Sequence, residues 1–202
     1  MKDRDIALVL LGGLGLFLAL AATGADPVPI PEDAPDPTPT GNVNQGNIVS
    51  DKNRAAFLAM LRHSEGTDKY LDPYTVIFGG AVSPYGYTDH PGNLGYNAWR
   101  HFTANGKDNY STASGAYQFR LRTWNELANR LGLPDFGPAS QDQAALQLIA
   151  DAGALGFVDS GDIASAISHV NNIWASLPGS PYGQPTVSLE KLSAFVTDFL
   201  AA

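Results

Sequence analysis

Beyond Ser50 the chain carries only three glutamates, Glu65, Glu126 and Glu190, and their surroundings assign them different chemistry. Glu190 follows Ser188 by two residues at the start of an apolar periodic segment, where a carboxylate complements the positive end of a helix. Glu126 has Arg122 and Arg130 four residues to either side, the spacing of a solvated ion-pair face. Glu65 lies four residues after Leu61 and seven after Leu58, on the apolar stripe of its segment and in its last turn. Burial and the negative end of the helix dipole both disfavour a carboxylate there, so its pKa is expected to rise. A glutamic acid that stays protonated near neutral pH can donate a proton. The competing expectation is a partly exposed Glu65 paired with Arg62 or Lys69.

Other reaction classes lack their residues. The chain has no cysteine, which removes a thiolate zinc site, a cysteine nucleophile, a disulfide framework and lipid attachment at an N-terminal cysteine. Its four histidines, at 63, 90, 101 and 169, form no HExxH frame and read as surface or loop residues. Neither a GxSxG elbow nor a GxxxxGK[ST] loop occurs, so no nucleotide, metal or other cofactor is implied. A net charge of -8, from 12 Lys+Arg against 20 Asp+Glu, opposes a nucleic-acid partner. What remains is a proton donor beside a stretch rich in Tyr70, Tyr74, Tyr85, Tyr87, Tyr96, Trp99 and Tyr110. Glycosidic bond cleavage uses that combination: a proton for the leaving oxygen, flat faces for sugar rings, amides for hydroxyl and N-acetyl groups. The same loops could equally line a non-catalytic glycan groove.

The elements that must position Glu65 are mainly helical. A helix is expected over 51–65, capped by Ser50 and stopped by Gly66. An irregular lobe over 66–116 follows, with one strand candidate at Tyr74 to Phe78 before Gly79-Gly80 and a short hairpin. Periodicity predicts further helices from Tyr117 to Leu131, from the capping box Ser140-Gln141-Asp142-Gln143 to Ala152, from Asp162 to Trp174, and from Ser188 onward. No internal repeat occurs. The expected class is α+β, a single mainly helical domain over 51–202 with a small β-hairpin lobe.

Two unlike segments precede it. Residues 6–22 form a run of 17 apolar residues that Thr23, Gly24 and Ala25 extend to 20, about 30 Å of helix and enough to span a bilayer. Segment 1–25 thus reads as a transmembrane or signal-anchor helix, with a cleavable signal peptide ending at Ala25 as the rival. Residues 26–50 hold six of the 14 prolines, four acidic residues and no basic one, and read as an extended spacer reaching roughly 75–80 Å. Lys2 and Arg4 before the span keep the N-terminus in the cytoplasm. The domain would then lie in the periplasm, anchored to the inner membrane.

The run Ala56-Phe57-Leu58-Ala59-Met60-Leu61 leading into Ser64-Glu65-Gly66-Thr67-Asp68 resembles the catalytic helix of the bacteriophage lambda endolysin family, lytic transglycosylases with a lysozyme-like fold that cleave peptidoglycan. The similarity continues through Val76-Ile77-Phe78-Gly79-Gly80, Asp89-His90-Pro91, Gly115-Ala116-Tyr117-Gln118, Ser140-Gln141-Asp142, Gly161-Asp162-Ile163, and Asn172-Ile173-Trp174-Ala175-Ser176-Leu177-Pro178-Gly179 with Tyr182-Gly183-Gln184. It implies that Glu65 is the catalytic acid, that Tyr117, Gln118, Tyr182 and Gln184 line a saccharide groove, and that peptidoglycan glycan strands are the partner.

The chain departs from the family pattern in two places. Thr75 stands where the lambda enzyme has an aspartate before its Val-Ile strand, and is kept as a substrate-side candidate. Loss of that carboxylate weakens a two-carboxylate hydrolytic route and leaves a single-glutamate one, which ends in a 1,6-anhydro ring on the muramic acid. The second departure is the apolar segment and spacer, which suits either a membrane-tethered lysis enzyme or a virion-associated entry enzyme with other virion proteins as partners. A hydrolytic muramidase and a non-catalytic wall-binding virion protein are the alternatives.

Overall fold

The last proline of the spacer is Pro39 and the next is Pro73, so nothing covalent interrupts a helix between them. In the computed structural model, which describes the backbone of residues 43–96, 101–104 and 107–202 and the side chains of 48–96 and 111–202, the helix α1 fills Val43–Glu65. Its early start corrects two expectations: Ser50 lies within the helix and does not cap it, and 43–50 are helical where the extended spacer was expected to continue. The apolar segment 1–25 and the spacer up to residue 42 lie outside the described residues. Among the described residues no helix is long and apolar enough to cross a membrane.

From Ala56 to Leu61 every residue of α1 is buried, on all faces of the helix. Such a helix must be surrounded, and α1 packs against three others, α3 (Pro138–Asp151), α4 (Leu155–Ser160) and α6 (Leu189–Ala201). Arg54 fixes the α4 contact with a two-pronged bond to Asp159 at 2.6 and 2.7 Å. Gly66, at φ 70°, ends α1 in the left-handed conformation a side chain would resist.

The lobe after α1 is built from short pieces. Asp72 accepts the Tyr74 amide and Pro73 fixes the next turn, so 73–75 wind into a 3-10 turn. The strand expected over 74–78 therefore shrinks to β1 (Val76–Ile77), paired antiparallel with β2 (Ala81–Val82) in the register Val76 to Val82. Residues 113–115 close the other edge of β1, with Phe78 N bonding Ala113 O at 2.8 Å and Gly115 N bonding Val76 O at 2.7 Å. A second hairpin joins β3 (His101–Ala104) and β4 (Lys107–Tyr110).

Three helical expectations are corrected by packing. The helix α2 occupies Leu121–Leu131 and closes at Gly132 as expected, but its predicted first turn from Tyr117 is a tight loop held by the paired backbones of Ser114 and Phe119. Pro138 starts α3 two residues before the supposed capping box; Ser140 bonds Asp135 at 2.8 Å and Gln141 is fully buried. Beyond α4, α5 (Ile163–Val170) starts on its Asp162 cap but ends four residues before Trp174. The final helix α6 opens on its Ser188 cap. One core unites these elements around Phe57, Met60, Leu61, Trp124, Phe136 and Ile149, giving the expected α+β class.

Candidate active site

Glu65 is the last residue of α1 and only 4% exposed, although it is charged at neutral pH by default. Three chain segments converge on that helix end. Thr67 donates its hydroxyl to Ala116 O at 2.7 Å, Trp174 Nε1 donates to Tyr117 O at 3.1 Å, and Ser176 Oγ stands 2.7 Å from Glu65 Oε1. The junction thus joins 64–67, 115–118 and 174–177, which are far apart in sequence. Glu65 Oε2 is buried and has no hydrogen-bond partner among the described residues. Burial raises the Glu65 pKa well above the usual carboxyl range, and the Ser176 bond opposes that rise only in part. The competing pairing with Arg62 or Lys69 is not what holds it.

Arg62 turns instead to two phenols and a carboxylate. Its Nη1 lies 2.7 Å from the Tyr117 hydroxyl, 3.4 Å from that of Tyr74, and 4.0 Å from Asp142 Oδ1. Tyr74 and Tyr117 both donate to Asp142 Oδ1. Burial first, then the Asp142 charge, raises the pKa of each phenol, so both stay protonated donors. This network clamps α1 to α3 and to the turn before β1.

Gln141 clamps the same turn from beneath. Its Oε1 accepts the Ala116 amide at 2.8 Å, and its Nε2 donates to Tyr74 O at 2.9 Å and Phe136 O at 2.7 Å. A Cβ on Gly115 would sit 2.2 Å from Gln141 Oε1, and φ there is +79°, so glycine is required on two counts.

The residues singled out in the sequence take distinct places. Tyr117 is 1% exposed with its hydroxyl engaged, so it supports the site from within the core and offers no free ring face for a sugar. Gln118 is half-buried at φ +51°, the one non-glycine residue with positive φ among those described, and its Nε2 donates to Gly115 O at 2.9 Å and Val76 O at 3.3 Å. Strain of this kind is retained where a side chain must be presented at a set angle. Thr75 is buried, with its hydroxyl on Asp72 O at 3.2 Å. Tyr182 is 36% exposed and its hydroxyl bonds Asn172 O at 2.7 Å, which ties its loop to the Ser176 segment. Gln184 is half-buried on that loop. The side chains of Trp99 and Tyr110 lie outside those described.

Two features escaped sequence reasoning. Ser176 was only part of a longer motif, and its bond to Glu65 spans 111 positions. His90, read as a surface or loop residue, is fully buried. Its Nε2 faces Phe119 O at 3.0 Å and its Nδ1 faces Gly92 N at 3.1 Å, which places the ring proton on Nε2. Burial lowers its pKa, and the neutral ring serves as a brace for the 115–119 loop.

Residues 55–200 match the sequence model of the family described as Endolysin. The endolysin of Escherichia phage lambda is 47% identical over 136 residues, 65% of this chain and 80% of that protein. The endolysin of Escherichia phage P2 is 45% identical over 155 residues, 72% of this chain and 91% of that protein. The structure of bacteriophage lambda lysozyme complexed with a chitohexasaccharide superposes with a TM-score of 0.63 at 42% identity, covering 73% of this chain and 94% of its own. A further structure, lysozyme from bacteriophage lambda, gives 0.55 at 39% identity over 74% and 90%. Family match, identity and shared fold agree, and the protein belongs to the endolysin family.

Proposed function

We propose that the protein cleaves the bond between N-acetylmuramic acid and N-acetylglucosamine in peptidoglycan, with Glu65 as the acid. The observation that carries this reading is the buried Glu65 carboxyl, held by one hydroxyl on Oε1 and left without a partner on Oε2 among the described residues. A protonated carboxyl with an unused oxygen lacks only an acceptor, and a glycosidic oxygen is one. The chitohexasaccharide bound to the lambda lysozyme supports a β-linked N-acetylated glycan as the substrate class here.

The finer reading is a lytic transglycosylase. Glu65 gives its proton to the glycosidic oxygen, the C1–O bond breaks with its electron pair on that oxygen, and the new carboxylate takes the proton of the muramic acid C6 hydroxyl. O6 then bonds to C1 and closes a 1,6-anhydro ring, with no water as nucleophile. Support comes from Thr75, a hydroxyl residue at the position before β1. A true lysozyme of the paired-carboxylate kind would use a second carboxylate. Mass spectrometry of muropeptides released from purified peptidoglycan tests the choice: anhydro ends are expected, and reducing ends would establish a hydrolytic muramidase.

The apolar segment and acidic spacer support a reading in which the enzyme is held at the periplasmic face of the inner membrane with reach to the wall. Fractionation of infected cells and of purified virions tests it. Recovery in the membrane fraction is expected, and recovery in virions would instead establish an entry enzyme.

A further inference from the structure

Hydrogen counting at the end of α1 carries information that the distances alone do not. Ser64 Oγ lies 2.9 Å from the Leu61 carbonyl, which can only accept, so the single hydrogen of Ser64 points there. Ser176 Oγ lies 3.0 Å from Ser64 Oγ and must supply the hydrogen for that contact. Its hydrogen is then spent, yet Ser176 also stands 2.7 Å from Glu65 Oε1. All three contacts are satisfied together only when Glu65 carries a proton on Oε1 and donates it to Ser176. In the carboxylate the order reverses: Ser176 donates to Oε1, and Ser64 turns to Ser176 or stays on Leu61. Both serines are buried, so water does not compete at their surface.

We propose that Ser176, with Ser64 behind it, is a positioning pair for Glu65, a two-hydroxyl switch that accepts from the acid and donates to the carboxylate. The proposal rests on Glu65 being the reacting acid. It suits one carboxyl that must be acid and then base within a turnover, because rotation of the two hydroxyls lets Ser176 bond either form. The Oε2 side is the one left for substrate. A half-turn of the protonated carboxyl about Cγ–Cδ brings its proton to the side facing the substrate and turns the bare oxygen to Ser176, which then donates to it, so engagement of the glycosidic oxygen and reversal of the hydroxyls occur together. Ser176 gains and loses no net proton; the proton lost by Glu65 goes to the leaving oxygen.

The charged groups of the neighbouring elements are occupied by other partners or exposed. Arg62 faces Tyr117, Tyr74 and Asp142; His63 bonds Asp68 at 2.7 Å and stacks on Phe195 of α6; Lys191 and Asp198 of α6 are exposed. Burial raises the Glu65 pKa and the Ser176 hydroxyl lowers it.

The test is the pH dependence of kcat/KM for the full chain and three variants. Activity that requires protonated Glu65 falls as pH rises through its pKa. Ser176→Ala removes the donor to the carboxylate, so the falling limb should move up by about one pH unit. Ser64→Ala strands the Ser176 hydrogen in the acid form and frees it for the carboxylate, so the limb should move down, by about half a unit. Ser176→Thr keeps the hydroxyl and should leave the limb where it is in the parent. A purely structural role would lower amplitude and melting temperature and leave the limb in place. Unmoved limbs, or shifts of both alanine variants in one direction, overturn the switch; if Ser176→Ala fails to fold, Ser64→Ala and Ser176→Thr still decide it. Lysis retained by Glu65→Gln overturns the assignment of Glu65 itself, whereas lysis lost in Glu65→Gln with unmoved serine limbs overturns only the switch.

Discussion

Asp89 and Glu65 are carboxyls in polar settings with opposite hydrogen-bond balances. Asp89 Oδ1 accepts from His90 N at 2.6 Å and Trp124 Nε1 at 3.1 Å, and Oδ2 accepts from Asn93 Nδ2 at 2.9 Å. It borders a hollow of about 230 Å³ in which the side chains of Asn93, Asn125 and Asp135 also bond within the fold. Glu65 has one hydroxyl on one oxygen and nothing on the other among the described residues. Three donors make Asp89 a brace for its loop. One donor and burial make Glu65 an acid with a proton to give. Asp89 is half-buried and Glu65 is buried, so burial and the count of donors together separate the brace from the proposed acid.

The largest effect that can break this comparison is chemical. Glu65→Gln keeps the shape of the side chain and removes the transferable proton, so cell-wall lysis should fall by about 10³-fold while the fold persists. A turbidity assay on purified walls beside circular dichroism checks both halves; retained lysis would remove Glu65 from the mechanism. Next in size is the clamp beneath the junction. Gly115→Ala drives a Cβ to 2.2 Å from Gln141 Oε1 at φ +79° and should lower stability by about 3 kcal/mol in urea unfolding. Asp89→Asn sharpens the contrast from the other side. Its new NH2 group must face one of three donors, which costs about 2 kcal/mol, yet the activity of the folded fraction should match the parent. A loss of turnover per folded molecule in Asp89→Asn would mean that the hollow takes part in the reaction.

What the sequence disclosed follows from how local each cause is. Glu65 was legible because the apolar stripe through Leu58 and Leu61 and the stop at Gly66 are set within one helix. The Ser188 cap and the Gly132 stop are local in the same sense. Gln141 was misread because Ser140 to Gln143 matches a capping box in composition, whereas the amide of Gln141 is fixed by Ala116 and Tyr74, which the window does not contain. Tyr117 falls in helical phase with Leu121 and Trp124, but Gly115 and the Ser114–Phe119 pairing turn the chain there first. Helix α4 is short and contains Gly156 directly after Gly153-Ala154-Leu155, too brief for periodicity to register. Ser176 is the clearest case of a non-local cause, since its bond to Glu65 exists only because the end of α1 and the loop after α5 meet.

The smallest effect is a slope of stability against pH, and it isolates burial from catalysis. In the unfolded chain the Glu65 carboxyl titrates at about 4.3, and in the folded protein its pKa is raised. Below the unfolded value both states hold the proton, and the stabilisation is fully present. As pH rises from there toward the folded value the unfolded chain releases its proton while the native state keeps it, so the unfolded state binds fewer protons and stability falls. Above the folded value both states are ionised and this contribution is flat. Glu65→Gln has no such proton, so its melting temperature minus that of the parent should be smallest near pH 4, widen toward neutral pH, and then level off. Calorimetry of the two proteins across that range reads it directly. A constant difference would mean that enclosure leaves the proton of Glu65 no more tightly held than in the open chain, and the contrast with Asp89 would then rest on hydrogen-bond geometry alone.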